Sequence, residues 1–320
     1  MTVAPDEGML PFLRAADLPD TTAQHPWLID QLWAAAGVGI VGGAPKCCKS
    51  WLALDMAVSV ASGQACLRRF RVARPGCVLL YAAEDALHVV RERLEGISRA
   101  AGVDLRALDI QVITSPTLRL DRREDQQRLD ETVSAIAPRL LILDPFVRLH
   151  RIDENVSSEV APLLANLREL ERRHHVAVVL VHHARKGGGS RPGQALRGSS
   201  ELHAWGDSNL YLQRTRELIT LTIEHRAAAS PPAMAIELRA NAGALALHVA
   251  DGLGAAATPT PPSQCERVLE ALTQSPEPIP LKHLRETCAM RTQRLCEILA
   301  DLVRDGRVRK MPTGYQLVTR

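Results

Sequence analysis

The run Gly42-Gly43-Ala44-Pro45-Lys46-Cys47-Cys48-Lys49-Ser50 has the residue types of a phosphate cradle. An apolar stretch, Val38–Gly42, precedes it and a helical stretch, Lys49–Ser62, follows, which is the context such a loop requires. Backbone N–H groups of the loop and the helix start attract anionic oxygen. In this reading the Lys49 ammonium reaches the β- and γ-oxygens of ATP and the Ser50 hydroxyl ligates Mg2+. The pattern G-x-x-x-x-G-K-S/T fits everywhere except at Cys48, where glycine lets backbone come close to phosphate. The bland alternative is a strand–turn–helix corner with a chance Lys-Ser.

Three further runs weigh against chance. Leu140–Asp144 is four apolar residues and then an acid, a buried strand delivering a carboxylate at its C-terminal end, where ligands of open α/β sheets sit. Asp144 is the candidate for the water shell of Mg2+. Pro145 follows it, so no second acid stands beside it to orient an attacking water. Glu84, after the apolar run Val78–Ala82, can take that role; the alternative is that Glu84 and Asp85 merely favour a helix start. Val178–Val181 ends in His182-His183, which can contact a γ-phosphate. A zinc site joining them to His174 and His175 is disfavoured, since that pair precedes the strand and lies at its other end.

Apolar runs and helical stretches must place these residues. Strands are expected at 38–42, 77–82, 140–144 and 176–181, and helices at 49–62, 86–101, 124–136 and 157–173. Strands alternating with helices of this length argue for a parallel sheet with crossover helices. The runs 210–213, 218–224, 235–239 and 244–249 follow one another without helices and predict antiparallel strands at one edge. Residues 1–33 read as an N-terminal arm ending in an amphipathic patch from Trp27 to Trp33, and 34–250 as the α/β domain. The Pro- and Ala-rich stretch 251–263 reads as a linker. Residues 264–320 give three helices and a hairpin, the winged-helix arrangement.

Bulk properties narrow the class. The 320 residues suit one full domain plus a smaller one. A net charge of +3 is too small to imply nucleic acid, so charge placement matters more. Seven cysteines without C-x-x-C spacing fit reduced cytoplasmic thiols better than a disulfide or zinc framework. No apolar leader and no membrane-length apolar run is present, so a cytoplasmic protein is expected.

Together these residues resemble the RecA/DnaB-type P-loop ATPases. Within them they are similar to the plasmid and mobile-element branch typified by the hexameric RepA replicative helicase. That branch carries G-x-P-K-x-x-K-S-W, matched by Gly43, Pro45, Lys46, Lys49, Ser50 and Trp51, so a non-glycine Cys48 is expected there. The nucleotide-binding stretch implied runs from Gly43 through Ala44, Cys47 and Cys48 to Trp51. The resemblance matches the branch's catalytic glutamate to Glu84, its Walker B aspartate to Asp144 and its strand-end histidines to His182 and His183. Its Arg-Gly-Ser-Ser element matches Arg197-Gly198-Ser199-Ser200, followed by Ala204 and Asp207. The match spans roughly residues 27–225 and leaves out the C-terminal unit. It implies a RecA-like P-loop NTPase core with a mainly parallel sheet, ATP and Mg2+ as cofactors, and a homo-oligomer, a hexamer in that branch.

Several cations are candidates for DNA. Arg185, Lys186, Arg191 and Arg197 stand among glycines in 184–197, where RecA-like rings line a channel for single-stranded DNA; a solvated loop is the alternative. The loop 147–158 adds Arg148, His150 and Arg151. In the C-terminal unit Arg291 and Arg294 would enter a groove and Arg309 would meet backbone phosphate, unless that unit binds protein instead. With no obvious second cation near Asp144 or His182, Arg214 and Arg216 are candidate fingers reaching a neighbour's site, and Arg197 the alternative. The leading expectation is a ring ATPase moving on single-stranded DNA. The alternatives are a nucleotide-switched DNA-binding regulator and a filament-forming recombination mediator.

Overall fold

A run such as Leu140–Leu143 has no polar face, so a strand made of it must be covered on both sides. The computed structural model, which describes residues 12–17, 26–183, 200–215, 218–241, 243–250, 264–273, 277–288, 290 and 292–318, meets that demand. The chain forms two compact units, 1–254 and 255–320. In the first, β1 (Trp27–Ile29), β2 (Trp33–Ala34) and β3 (Val38–Gly43) lead into α1 (Lys49–Ser62). Then come β4 (Val78–Ala82), α2 (Leu87–Ala100), β5 (Ile110–Val112), α3 (Arg123–Ile136), β6 (Leu140–Asp144), α4 (Ser157–His174), β7 (Ala177–His183) and α5 (Ser200–Trp205). The unit closes with β8 (Ser208–Thr215), β9 (Leu218–His225), β10 (Met234–Asn241) and β11 (Ala244–Val249).

Among the described residues nine strands make one sheet, in the order β11-β10-β9-β8-β3-β7-β6-β4-β5. From β5 to β8 all neighbours are parallel; β9, β10 and β11 extend it antiparallel, as the helix-free spacing predicts. Alternation along each parallel strand sorts its residues. Leu140 and Ile142 join the apolar cluster of α1 and α2, while Leu141 and Leu143 join that of α3 and α4. Ala246 and Leu247 of β11 belong to the α1/α2 cluster, so the antiparallel edge curls onto those helices.

The centre of the sheet is tight. A Cβ on Gly39 would fall 1.7 Å from the Ser208 carbonyl oxygen, so β3 and β8 can approach only because residue 39 has no side chain. Before the β3–β8 ladder starts at Val41, side chains complete it: Asp207 accepts from the Val38 N–H at 3.1 Å and Asn209 from the Ile40 N–H at 3.2 Å. Arg168 of α4 clamps the same Asp207 and donates to the Trp205 carbonyl. In α1 the fully buried Asp55 accepts from Leu67 N–H at 2.8 Å and from Arg68 at 2.7 Å, tying the helix to the following loop.

The N-terminal arm ends earlier than residue 33. Leu28, Ile29, Leu32 and Trp33 are buried in the α1/α2 cluster, and the Trp33 indole donates to the Gly37 carbonyl at 3.2 Å. The amphipathic patch is a bent hairpin, because its apolar residues pack into the α1/α2 cluster. Sequence periodicity also missed β5, whose three residues are too few to show alternation, and α5.

The second unit holds α6 (Gln264–Thr273), α7 (Leu281–Cys288), α8 (Thr292–Arg304), β12 (Val308–Met311) and β13 (Gly314–Leu317), close to the expected bounds. Leu272, Leu284, Leu295, Leu299 and Val308 form its core, and Ile279 exchanges backbone hydrogen bonds with Tyr315. No helix among the described residues is long and apolar enough to cross a membrane.

Replacing Trp33 by Ala should cost about 3–5 kcal/mol in chemical denaturation, the range for a fully buried large side chain, while Phe12→Ala, at a position 74% exposed, should be neutral. A Trp33→Ala loss under about 1 kcal/mol would contradict the inclusion of this hairpin in the core.

Candidate active site

Parallel pairing delivers the chemistry. Because β3, β4, β6 and β7 run in the same direction, their C-terminal ends share one edge, where β6 ends in Asp144, β7 in His182 and His183, and β3 in the glycines that open the loop. Gly42 and Gly43 lie opposite His182 and His183 across β3 and β7, and Ala82 lies opposite Asp144 across β4 and β6. The Ala83 N–H donates to the Asp144 carbonyl at 2.7 Å, which carries the ladder one residue further and leads Glu84 to the same edge.

The loop after β3 turns sharply. Its first residue, Gly43, has no room for a side chain: a Cβ would sit 2.3 Å from the Leu212 carbonyl oxygen and 2.7 Å from Cys47 Sγ. Lys46 and Cys48 both adopt left-handed backbone, at φ 63° and 66°. The glycine usual at position 48 thus has a conformational reason, and Cys48 takes the conformation at a cost of about 1–2 kcal/mol. Ala44, Pro45 and Lys46 are exposed along the loop, and Cys47 is buried with its thiol donating to the Ala44 carbonyl.

Lys49 is 5% exposed, and its Nζ donates to the Ala44 carbonyl at 2.9 Å. Burial pushes its pKa below the usual lysine value, with Cys47, Asp144 and Glu84 opposing that shift. Ser50 donates a hydrogen bond to Asp144. Burial raises the Asp144 carboxyl to about 6, against the Ser50 hydrogen bond, with Asp85 adding repulsion. A hydroxyl oxygen beside a carboxylate that burial leaves short of positive charge suits a hard cation, so Ser50 and Asp144 fit Mg2+. A buried ammonium behind a turn of backbone amides fits the phosphates.

The structure separates residues that the sequence could only group. His182 faces α3 and α4 and packs edge-on against Phe146 at 6.1 Å; His183 faces the loop, with Nε2 3.9 Å from Glu84 Oε2. Burial and the nearby Lys49 push the His183 pKa down. The Trp51 ring lies under the Arg93 guanidinium at 5.5 Å, and Arg93 also pairs with Asp85, so Trp51 links α1 to α2. His150 is buried against Phe146 at 4.4 Å, which removes it from the DNA-facing loop expected at 147–158. Two cations that the sequence reading assigned to DNA and to a neighbour's site stand at this site in cis. Arg148 Nε donates to Glu84 Oε1 at 2.9 Å, and Arg214 Nη2 lies 3.7 Å from Cys48 Sγ. Arg214 arrives there because β8 pairs with β3, Leu212 opposite Gly43. Spacing hid both contacts, since 64 and 166 residues separate the partners. Arg185, Lys186, Arg191, Arg197, Arg216 and Arg291 lie outside the described residues; Arg294 falls in α8, and Arg309 is exposed on β12.

Sheet order, loop and acids define a RecA-like P-loop ATPase core. A solved ATPase domain shares this fold at a TM-score of 0.51 and 14% identity, over 66% of this chain and 84% of that one. The crystal structure of the RadB recombinase matches at 0.49 and 17% identity, over 64% and 88%. A family model described as AAA domain matches residues 4–189, more than half of the chain, and the chain belongs to that family.

Cys48→Gly should stabilise the protein by about 0.5–1 kcal/mol, the relief of left-handed strain less the added unfolded-state freedom of glycine; a net loss in denaturant titration would contradict the strain. The second test uses Asp144, whose carboxyl is raised to about 6 on folding from an ordinary 3.8. The folded, chelator-treated chain holds that proton more tightly than the unfolded one. Its stability contribution is therefore full below about 4 and lost as pH rises through about 6. Asp144→Asn should raise the metal-free melting temperature at pH 7, with the difference vanishing towards pH 4. An effect independent of pH would contradict the raised carboxyl.

Proposed function

We propose that the chain hydrolyses ATP with Mg2+ and couples hydrolysis to movement on single-stranded DNA, as a ring of identical subunits of the RepA-like kind. The observation that carries this is the convergence of Lys49, Ser50, Asp144, Glu84 and His183 at one sheet edge. Lys49 holds the β- and γ-phosphate oxygens. Ser50 and Asp144 hold Mg2+, which when bound supplies charge that offsets the phosphates. Glu84 accepts a proton from the attacking water. His183 senses the γ-phosphate from the loop face, and His182 supports it from behind. Arg214 adds a cation from the same subunit, leaving Arg216 and Arg197 as the candidates to reach a neighbour. Gly43–Trp51 forms the nucleotide loop, with Trp51 acting through α2.

Arg185, Lys186, Arg191 and Arg197 follow the β7 end that carries His183, so single-stranded DNA would meet the same edge. The C-terminal unit, three helices and a hairpin stapled by Ile279 and Tyr315, is read as a winged helix. Its Arg291, Arg294 and Arg309 would contact duplex phosphate. A nucleotide-switched regulator without unwinding is the second reading; the arrangement of three helices and a hairpin in that unit supports it.

Lys49→Ala should lower turnover by more than about a hundredfold with the fold intact. Glu84→Gln should bind ATP normally and fail to hydrolyse it. The deciding assay is phosphate release with and without single-stranded DNA, alongside strand displacement on a fork. Stimulation with unwinding supports the motor; slow, DNA-indifferent turnover supports the regulator. A Lys49→Ala protein with wild-type turnover would overturn both.

A further inference from the structure

Arginines without a carboxylate partner gather at the sheet edge opposite the nucleotide loop. The central strands are parallel, so their N-terminal ends share that edge. Arg139 opens β6 there, donating its N–H to the Cys77 carbonyl at 2.9 Å and accepting from the Ala177 N–H at 3.0 Å. Its side chain lies over Gly76, where a Cβ would fall 2.4 Å from Arg139 Cδ. Among the described residues the buried Arg139 Nε has no hydrogen-bond partner. Burial and the nearby Arg74 push the Arg139 pKa below the usual arginine value. Two neighbouring guanidinium groups, one of them partly buried, disfavour the free chain and favour a state in which an anion lies against both.

The segment between α1 and β4 fixes more arginines beside this pair. Cys66 and Phe70 exchange backbone hydrogen bonds at 2.8 and 2.9 Å around a turn whose Leu67 and Arg68 are left-handed, at φ 52° and 60°. The Asp30 N–H donates to the Arg71 carbonyl at 2.8 Å, and Ile29 bridges to Val72. Phe70 is buried and Val72 packs on the α1/α2 cluster, while Arg69 and Arg71, which flank Phe70, are exposed, as is Arg74. Arg68 is paired with the buried Asp55. Among the described residues Arg69, Arg71, Arg74 and Arg139 form no ion pair. A backbone anchored to α1 and to the β1–β2 hairpin thus presents several unneutralised cations at one place.

We propose that Arg69, Arg71, Arg74 and Arg139 form a phosphate-backbone contact for nucleic acid, made of residues other than the cations after β7 and those of the C-terminal unit. All four are arginines, whose planar forks pair two oxygens of one phosphate, and a nucleic-acid strand offers such phosphates at regular spacing. The choice of nucleic acid over an acidic peptide also rests on the proposed function. Contacts to phosphate alone carry no sequence information, so binding here is indifferent to base sequence.

The test is fluorescence anisotropy of labelled oligo-deoxythymidine and of a labelled hairpin duplex with the full chain, without nucleotide, over a range of salt. The variants are Arg69→Ala/Arg71→Ala/Arg74→Ala, the same three positions changed to Lys, and Arg139→Met. The triple alanine variant should bind about tenfold more weakly at low salt, and its slope of log affinity against log salt should fall by about 2 as phosphate contacts are lost. The triple lysine variant should keep the slope and most of the affinity. Arg139→Met keeps the apolar stem over Gly76; it should weaken binding yet raise the melting temperature, because an unpaired charge is removed. Basal ATP hydrolysis should be unchanged in all three. Loss with both probes supports a shared phosphate site, and loss with one probe shows which form of DNA occupies it. Unchanged affinity and slope in the triple alanine variant, with wild type binding normally, overturn this site alone. Wild type that binds neither probe overturns the site together with the DNA reading of the chain. Poly-glutamate that competes as well as DNA at matched charge, and only when the three arginines are present, overturns the nucleic-acid assignment in favour of an acidic protein partner. A lower melting temperature for Arg139→Met makes Arg139 structural and removes it from the site. If the triple alanine variant is unstable, Arg71→Gln/Arg74→Gln replaces it.

Discussion

The parallel ladder from β4 through β6 and β7 to β3 is the constraint on which everything else rests. Parallel strands cannot be joined by tight turns, so each needs a crossover, and every crossover here begins at the same edge. Each apolar run can therefore be wholly buried and still end in a residue that does chemistry. Leu140–Leu143 is sealed between two helical layers, and the next residue is Asp144.

That arrangement sets up an electrostatic imbalance. Lys49 is buried and donates to a neutral carbonyl, and its charge is disfavoured there. Asp144, a hydrogen bond away from Ser50, is raised for the same reason. Each is short of the partner that Mg2+ and the phosphates of ATP would supply. The loop adds backbone strain at Lys46 and Cys48, so this edge gives up stability that ligand would return. Where a glycine would relax the loop, Cys48 keeps it taut and brings a sulfur within reach of Arg214.

Much of this was legible in the chain because local rules govern it. Four apolar residues before an acid identify β6, and a strand, a Lys-Ser pair and an apolar helix identify the loop. Features fixed by lateral pairing were not legible. Which of His182 and His183 faces the loop depends on the pleat register of β7 against β3. The cis position of Arg214 depends on β8 lying beside β3, and the Arg148–Glu84 pair on β4 lying beside β6. Elements of two or three residues, such as β2 and β5, are too short to show a period. That the Trp27–Trp33 patch belongs to the core was not legible, because its burial depends on packing against α1 and α2.

The most direct test of the central claim is the structure of the chain with Mg2+ and a non-hydrolysable ATP analogue. Lys49 Nζ should leave the Ala44 carbonyl for the β- and γ-oxygens, and the metal should lie against Ser50 with Asp144 one water away. Nucleotide bound elsewhere, for example in the apolar groove of about 990 Å³ between α2 and β5, with Lys49 still on Ala44, would contradict it.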